Sequence, residues 1–190
     1  MFNTLFLALL LQVVAAAPAI ADVKVDDRIA FYRVEDSNTR ELWAQIHQFG
    51  PSDADTGKRY AAYTKWHVVW TYRFRSDSTG CRLEDIAVSD STVTTLPQWV
   101  NEDRMDASLR SRWDQFVAKL REHEAGHRQN GLLAAQAVRD ILANAPPQPD
   151  CHALDAQASA AAHDAIRRSN QADRDYDART EHGVTQGTVL

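Results

Sequence analysis

The sequence predicts an α+β fold, with an N-terminal antiparallel β-sheet and one short helix followed by two long C-terminal helices. Three observations carry that prediction. Trp66, Val68, Trp70, Tyr72 and Phe74 alternate with His67, Val69, Thr71, Arg73 and Arg75, the period of two that sends successive side chains to opposite faces of a strand. Leu109, Trp113, Phe116, Leu120, His123 and His127 recur at spacings of four and three, the period of one helix face. Leu154, Ala158, Ala161, Ala162, Ala165, Ile166, Ala172 and Tyr176 trace a second helix face, built mostly of small residues.

The elements follow in order. Residues 1–21 hold the apolar run Leu5–Leu11 and end Ala19-Ile20-Ala21, the short apolar core and small-residue site of a cleaved export signal. An uncleaved anchor is the alternative, although the apolar stretch is marginal in length for a span. Residues 22–190 then suit a single domain. Ile29–Val34 reads as a short strand. Asn38–Phe49 carries Leu42, Trp43, Ile46 and Phe49 at helical spacing and stops before Gly50-Pro51. Residues 52–58 are turn chemistry. In the strand that follows, Trp66 and its companions face the core, which puts His67 on the solvent side. Cys81–Val88 and Thr92–Leu96 complete an antiparallel meander closed by Pro97.

Asp106 caps a helix beginning at Ala107. Its stripe continues through Ala134, Val138, Ile141 and Leu142 to Pro146-Pro147, with Gly131 weakening or kinking the middle. The second helix runs from about Ala153 to the neighbourhood of Thr180, with Arg167, Arg168, Gln171 and Arg174 outward. Its alanine face lets it approach the first helix closely. His163 falls on the outer side, and His152 lies in the turn beside Cys151.

A net charge of −5 speaks against nucleic-acid binding. No segment after the signal approaches transmembrane length, so no stable membrane span is expected once the signal is gone. The two cysteines, Cys81 and Cys151, read as a disulfide in an exported chain. It would tie a strand near Cys81 to the start of the last helix and stabilise the fold by about 4 kcal/mol.

The chemistry concentrates in His123-Glu124-Ala125-Gly126-His127, an H-E-x-x-H pattern. On a helix, residues four apart share a face, so both imidazoles reach one ion. Glu124 stands beside that ion without ligating it, where it can take a proton from water activated by Zn²⁺. The register sharpens this, because both histidines continue the buried stripe, where an unpaired imidazole is costly. A catalytic zinc site needs a third protein ligand. A third histidine in the pattern H-E-x-x-H-x-x-G-x-x-H is absent, since Asn130 and Leu133 occupy those positions. The candidates lie in the tail. His182, before the helix stop Gly183, is the first choice as ligand. Asp177 is the runner-up, as a ligand or as an acceptor that orients a ligating imidazole. Tyr176 is a candidate donor to the developing oxyanion.

These positions together resemble a known family. Tyr32-x-Val34, Thr64-x-Trp66, Cys81, Leu96-Pro97-x-Trp99 and the helix Trp113…Phe116…Leu120 leading into His123-Glu124-x-Gly126-His127 carry the resemblance. Cys151, Tyr176-Asp177-x-x-Thr180-x-His182-Gly183 and Gln186-Gly187 extend it over nearly all of residues 22–190. The chain is similar to the predicted secreted zinc-dependent proteases of bacteria, domain-of-unknown-function family 922. The resemblance implies a zincin-like, exported hydrolase and brings no particular substrate. The expectation is therefore a periplasmic or secreted zinc metallohydrolase, first of all a peptidase acting on a peptide or protein. The alternatives are a non-catalytic zinc-binding envelope protein on the same fold and a purely structural exported domain.

Overall fold

A computed structural model describes residues 22–53, 57–100 and 106–190. The export-signal segment, residues 1–21, lies outside the described residues, as does part of the turn at 52–58. In chain order the elements are β1 (Lys24–Val34), α1 (Thr39–Phe49), β2 (Tyr63–Asp77), β3 (Gly80–Trp99), α2 (Ala107–Ala143) and α3 (Cys151–Thr180). A short 3-10 turn, Val184–Gln186, follows α3.

β3 is the middle strand of a three-stranded sheet, flanked by β1 and β2. β2 and β3 form the expected antiparallel hairpin. The expectation of a wholly antiparallel sheet is corrected by β1, which pairs parallel to β3 from Lys24↔Ser89 to Val34↔Trp99. Alternation identifies a strand but says nothing of its partner's direction. Here α1 and β2 supply the long connection that a parallel pair requires. The expected meander of two strands, Cys81–Val88 and Thr92–Leu96, is also corrected. Both belong to the single strand β3, and the polar stretch Ser89–Ser91 that suggested a break pairs on both sides. Asp90 is only 1 % exposed, and it accepts from the Thr92 hydroxyl at 3.2–3.3 Å. A polar run can therefore continue a central strand when its inward members bond to each other.

Helix ends follow local chemistry. The Asn38, Asp106 and Asp150 side chains each accept from a backbone N–H of the first turn of α1, α2 and α3 respectively, satisfying donors that a helix start leaves open. α2 is helical without a break through Gly131, where a weakened or kinked middle was expected. A Cβ on Gly131 would stand 2.7 Å from Trp66 Cβ, so the glycine lets β2 and α2 approach closely.

The inner face of the sheet packs on α2, which in turn packs on α3. Two apolar clusters result. One gathers Val34, Leu42, Ile46, Leu96, Trp99, Trp113, Phe116 and Leu120. The other gathers Val68, Val88, Ala134, Ala135, Val138, Leu142, Ala158, Ala162 and Ala165. Along α2 the buried residues between Leu120 and Ala134 are His123, Glu124, His127 and Gly131. The polar positions of the buried stripe thus occupy the seam between the two clusters.

On α3 the alanine face is buried as expected, but Ala172 is exposed. The inward position of that turn is Asp173, followed by Tyr176, Asp177 and Thr180. Counting by fours from Ala165 arrives at 173; a search for apolar residues alone stops one short. Among the described residues, no helix is long and apolar enough to cross a membrane.

Cys81 and Cys151 form a disulfide with Cα atoms 5.1 Å apart. Beside it, Cys81 N–H donates to Gln148 O at 2.8 Å and Gln148 N–H donates to Cys81 O at 3.0 Å. The start of α3 is thereby fastened to the start of β3. Replacing both cysteines (Cys81→Ala with Cys151→Ala) should lower unfolding stability by about 2–5 kcal/mol in urea denaturation. An unchanged midpoint would mean that the two backbone hydrogen bonds hold this junction alone.

Candidate metal centre

His123 and His127 project from adjacent turns of α2, and Asp177 faces them from the last turn of α3. Their Nε2 atoms stand 3.2 Å apart. Asp177 Oδ1 lies 3.0 Å from His127 Nε2 and 3.2 Å from His123 Nε2. For a tetrahedral ion with ligands about 2.0–2.1 Å away, donor atoms stand about 3.3 Å from one another. A triangle with these three edges fits such an ion. Among the described residues, these three are the one group of this kind whose donor atoms converge.

Both imidazoles are held from behind. His127 Nδ1 donates to Asp173 Oδ1 at 2.9 Å. Asp173 also accepts from Asn130 Nδ2 at 2.7 Å and from Trp66 Nε1 at 3.3 Å, so α2 and β2 fix its carboxylate on three bonds. His123 Nδ1 donates to Gln186 Oε1 at 2.8 Å. With Nδ1 engaged in this way, each Nε2 is directed at the centre. Tyr176 packs beside both imidazoles, stacked on His123 with ring centroids 5.1 Å apart and edge-on to His127 at 5.0 Å. Its hydroxyl donates to His123 O at 3.1 Å. This contact depends on Gly126, because a Cβ there would run into the Tyr176 ring.

The chain reverses immediately after α3. Glu181 and His182 adopt left-handed φ values of 50° and 53°, and Gly183 follows at 87°. Two non-glycine residues in that region cost on the order of 1 kcal/mol each or more, strain that the surrounding contacts must offset. The reversal brings Gln186 back onto His123.

Glu124 is buried, with 4 % exposure, and its Oε2 makes no hydrogen bond. It lines the same cavity of about 190 Å³ as His123, His127 and Asp177. Burial pushes the Glu124 carboxyl up, outweighing the opposing Thr64 hydroxyl and the charges of His127 and His123. For Asp177, burial works upward, but the hydrogen bonds of His123 and His127 and the charges of His127 and His182 hold it well below the usual carboxylate range. For His127, burial works downward, but Asp173 and Asp177 raise it to about 10.

Of the residues singled out from sequence, His123, Glu124, His127 and Asp177 meet in one place. His182, the first choice as third ligand, stands outside the donor triangle. Its side chain is 49 % exposed, and its Nδ1 is 3.3 Å from Asp177 Oδ2, the oxygen turned away from the imidazoles. The Tyr176 hydroxyl, considered as an oxyanion donor, is engaged with the His123 carbonyl and does not line the cavity. His67, His152 and His163 are exposed. Asp173 and Asn130 escaped the sequence reading. Asp173 is four before Asp177 and Asn130 three after His127, so helical spacing from these two candidates was the signal that could have found them.

Residues 29–183 match the family described as Bacterial protein of unknown function (DUF922). No curated protein and no solved structure matches the chain.

Two predictions follow from the geometry. Asp173→Ala should weaken metal binding by about 10–100-fold, with Asp173→Asn, which keeps an acceptor for His127, losing less; equal affinities by competitive titration would show that His127 needs no such support. The second concerns pH. In metal-free protein His127 stays protonated to about pH 10, so the stability this charge confers is complete below about 6.5 and is lost as pH rises through about 10. A metal must displace that proton. Its apparent affinity should rise about tenfold per pH unit between pH 7 and 9, with close to one proton released per ion. Calorimetry in buffers of different ionisation enthalpy checks this, and a pH-independent affinity would contradict it.

Proposed function

The chain belongs to that bacterial family, whose function is unknown, and from its own site we propose that it is a zinc-dependent hydrolase, first of all a peptidase. The observation that carries this reading is the triangle of His123 Nε2, His127 Nε2 and Asp177 Oδ1, with a buried carboxylate beside it whose Oε2 has no partner. Two imidazoles and one carboxylate are the donor set of a catalytic zinc, which keeps a further position open for water or substrate. The triangle supports Asp177 as third ligand, with His182 as the second partner of its carboxylate.

Bound there, zinc would polarise a substrate carbonyl and make water a nucleophile at neutral pH. The remaining steps fall to the chain. Glu124 takes a proton from the attacking water as the water oxygen bonds to the carbonyl carbon. When the carbon–nitrogen bond breaks, Glu124 passes that proton to the departing nitrogen. Burial suits it to the cycle, since a carboxyl raised toward neutrality both accepts and gives up a proton readily. Asp173 and Gln186 keep the His127 and His123 rings aimed, and Tyr176 backs both rings by packing against them. The disulfide supports a site of action outside the reducing cytosol, in the periplasm or the medium.

Metal analysis of protein purified without chelator is the decisive measurement. The wild type and Glu124→Gln should each carry about one zinc, Asp177→Ala should lose it, and His182→Ala should keep it. Glu124→Gln should also cleave a peptide mixture at least a thousandfold more slowly than the wild type. Full cleavage by Glu124→Gln, or metal retained by Asp177→Ala and lost by His182→Ala, would overturn these assignments.

A further inference from the structure

The cavity that opens on the donor triangle has a second end with a different chemistry. We propose that this end is a specificity pocket for an aromatic or large aliphatic side chain of a peptide, adjacent to the bond that is cut. The inference rests on the hydrolase reading and adds a substrate class to it.

The pocket wall is aromatic and aliphatic and comes from four separate parts of the chain. Trp43 reaches it from α1, Tyr60 and Tyr63 from the segment entering β2, and Leu120 and Val184 close it from α2 and the 3-10 turn. These rings are held in place before any ligand arrives. Trp43 stacks on His47 at 5.5 Å and meets Phe116 of the core edge-on at 5.5 Å. Tyr60 lies parallel to Tyr63 at 6.1 Å and leans on His182 at 5.0 Å. A wall of fixed rings binds an apolar group without first ordering its own side chains, which keeps the cost of association low.

Size and charge narrow the occupant. A volume of about 190 Å³ falls below the roughly 300–1,000 Å³ of pockets that enclose a whole small ligand, and suits one large side chain. Two charged groups on this wall have partners of their own: Arg59 donates to the Gly50 carbonyl at 2.7 Å, and Asp53 accepts from the Tyr63 hydroxyl at 3.5 Å. A peptide whose scissile carbonyl meets the triangle would therefore place one neighbouring side chain against Trp43 and Tyr60.

The test uses zinc-loaded Glu124→Gln protein, which holds peptides uncut, and a set of hexapeptides identical except for Phe, Leu, Asp or Gly at one position scanned along the chain. Calorimetric binding should favour Phe and Leu over Gly by about tenfold or more at one position, with Asp no better than Gly. Val184→Trp, made in the same background at a half-exposed position after α3, should fill the pocket and reduce that preference below threefold. Tyr60→Ala should do the same, so the result does not depend on one variant folding well. Equal binding of all four side chains, or a preference that survives both variants, overturns the inference. The hydrolase reading is judged separately, by zinc content and by cleavage with the wild type. A protein that carries zinc and cleaves without side-chain preference sinks the pocket alone. One that cleaves nothing and binds no peptide sinks both.

Discussion

Three heteroatoms that would repel or strand one another in a buried place are instead brought to within 3.0–3.2 Å, and the rest of the structure is arranged around that demand. An unpaired imidazole or carboxylate in the interior is costly, and pairing is the only relief short of a bound ion. The fold meets this cost by splitting its apolar interior. Leu120 ends one cluster on α2 and Ala134 begins the other, and the polar residues sit between them. On one side Ala134, Ala135 and Val138 pack α2 directly on Ala158, Ala162 and Ala165 of α3, and on the other Trp113, Phe116 and Leu120 anchor α2 to the sheet and α1. The donor atoms then converge because their helices have no freedom to separate.

Close approach is the second theme. Gly131 lets Trp66 come against α2, and from there Trp66 reaches Asp173. The alternation of β2 puts Thr64 and Trp66 on the same face, so one strand serves both carboxylates: Thr64 beside Glu124 and Trp66 at Asp173. The tail completes the enclosure from the other side through Gln186. Sheet, helices and tail thus each contribute one hydrogen bond or more to the centre, which is why the site belongs to the fold as a whole rather than to α2 alone.

Much of this was legible in the sequence where a single periodicity or a local cap decides the outcome. The cap at Asp106, the core face of β2 from Trp66 to Tyr72 (though not Phe74, which is exposed), the solvent-side placement of His67 and the buried register of His123 and His127 depend on spacing within one element. The pairing of Cys81 with Cys151 was legible from their number alone. What escaped depends on relations between elements. The parallel partnership of β1 and β3 comes from a crossover that no residue of β1 records. The unity of β3 was hidden because Asp90 and Thr92 satisfy each other, so a polar run passed for a turn. Asp173 was missed because an apolar search prefers Ala172, although Asp173 is the residue that the helix carries inward. His182 is conspicuous in the sequence as a histidine before a helix-stopping glycine, whereas its place beside the outer oxygen of Asp177 follows from the backbone reversal there.

The contact between Gly126 and Tyr176 carries a consequence for inheritance. The space for one large ring on α3 exists only because one position on α2 has no side chain. Neither residue can change freely while the other stays: a methyl group at 126 evicts the ring, and a smaller residue at 176 leaves both imidazoles without a shared backing. Across descendants of this chain the two positions should therefore drift as a single unit, so that a sequence keeping the histidines but changing only one of the pair marks a site that has lost its shape.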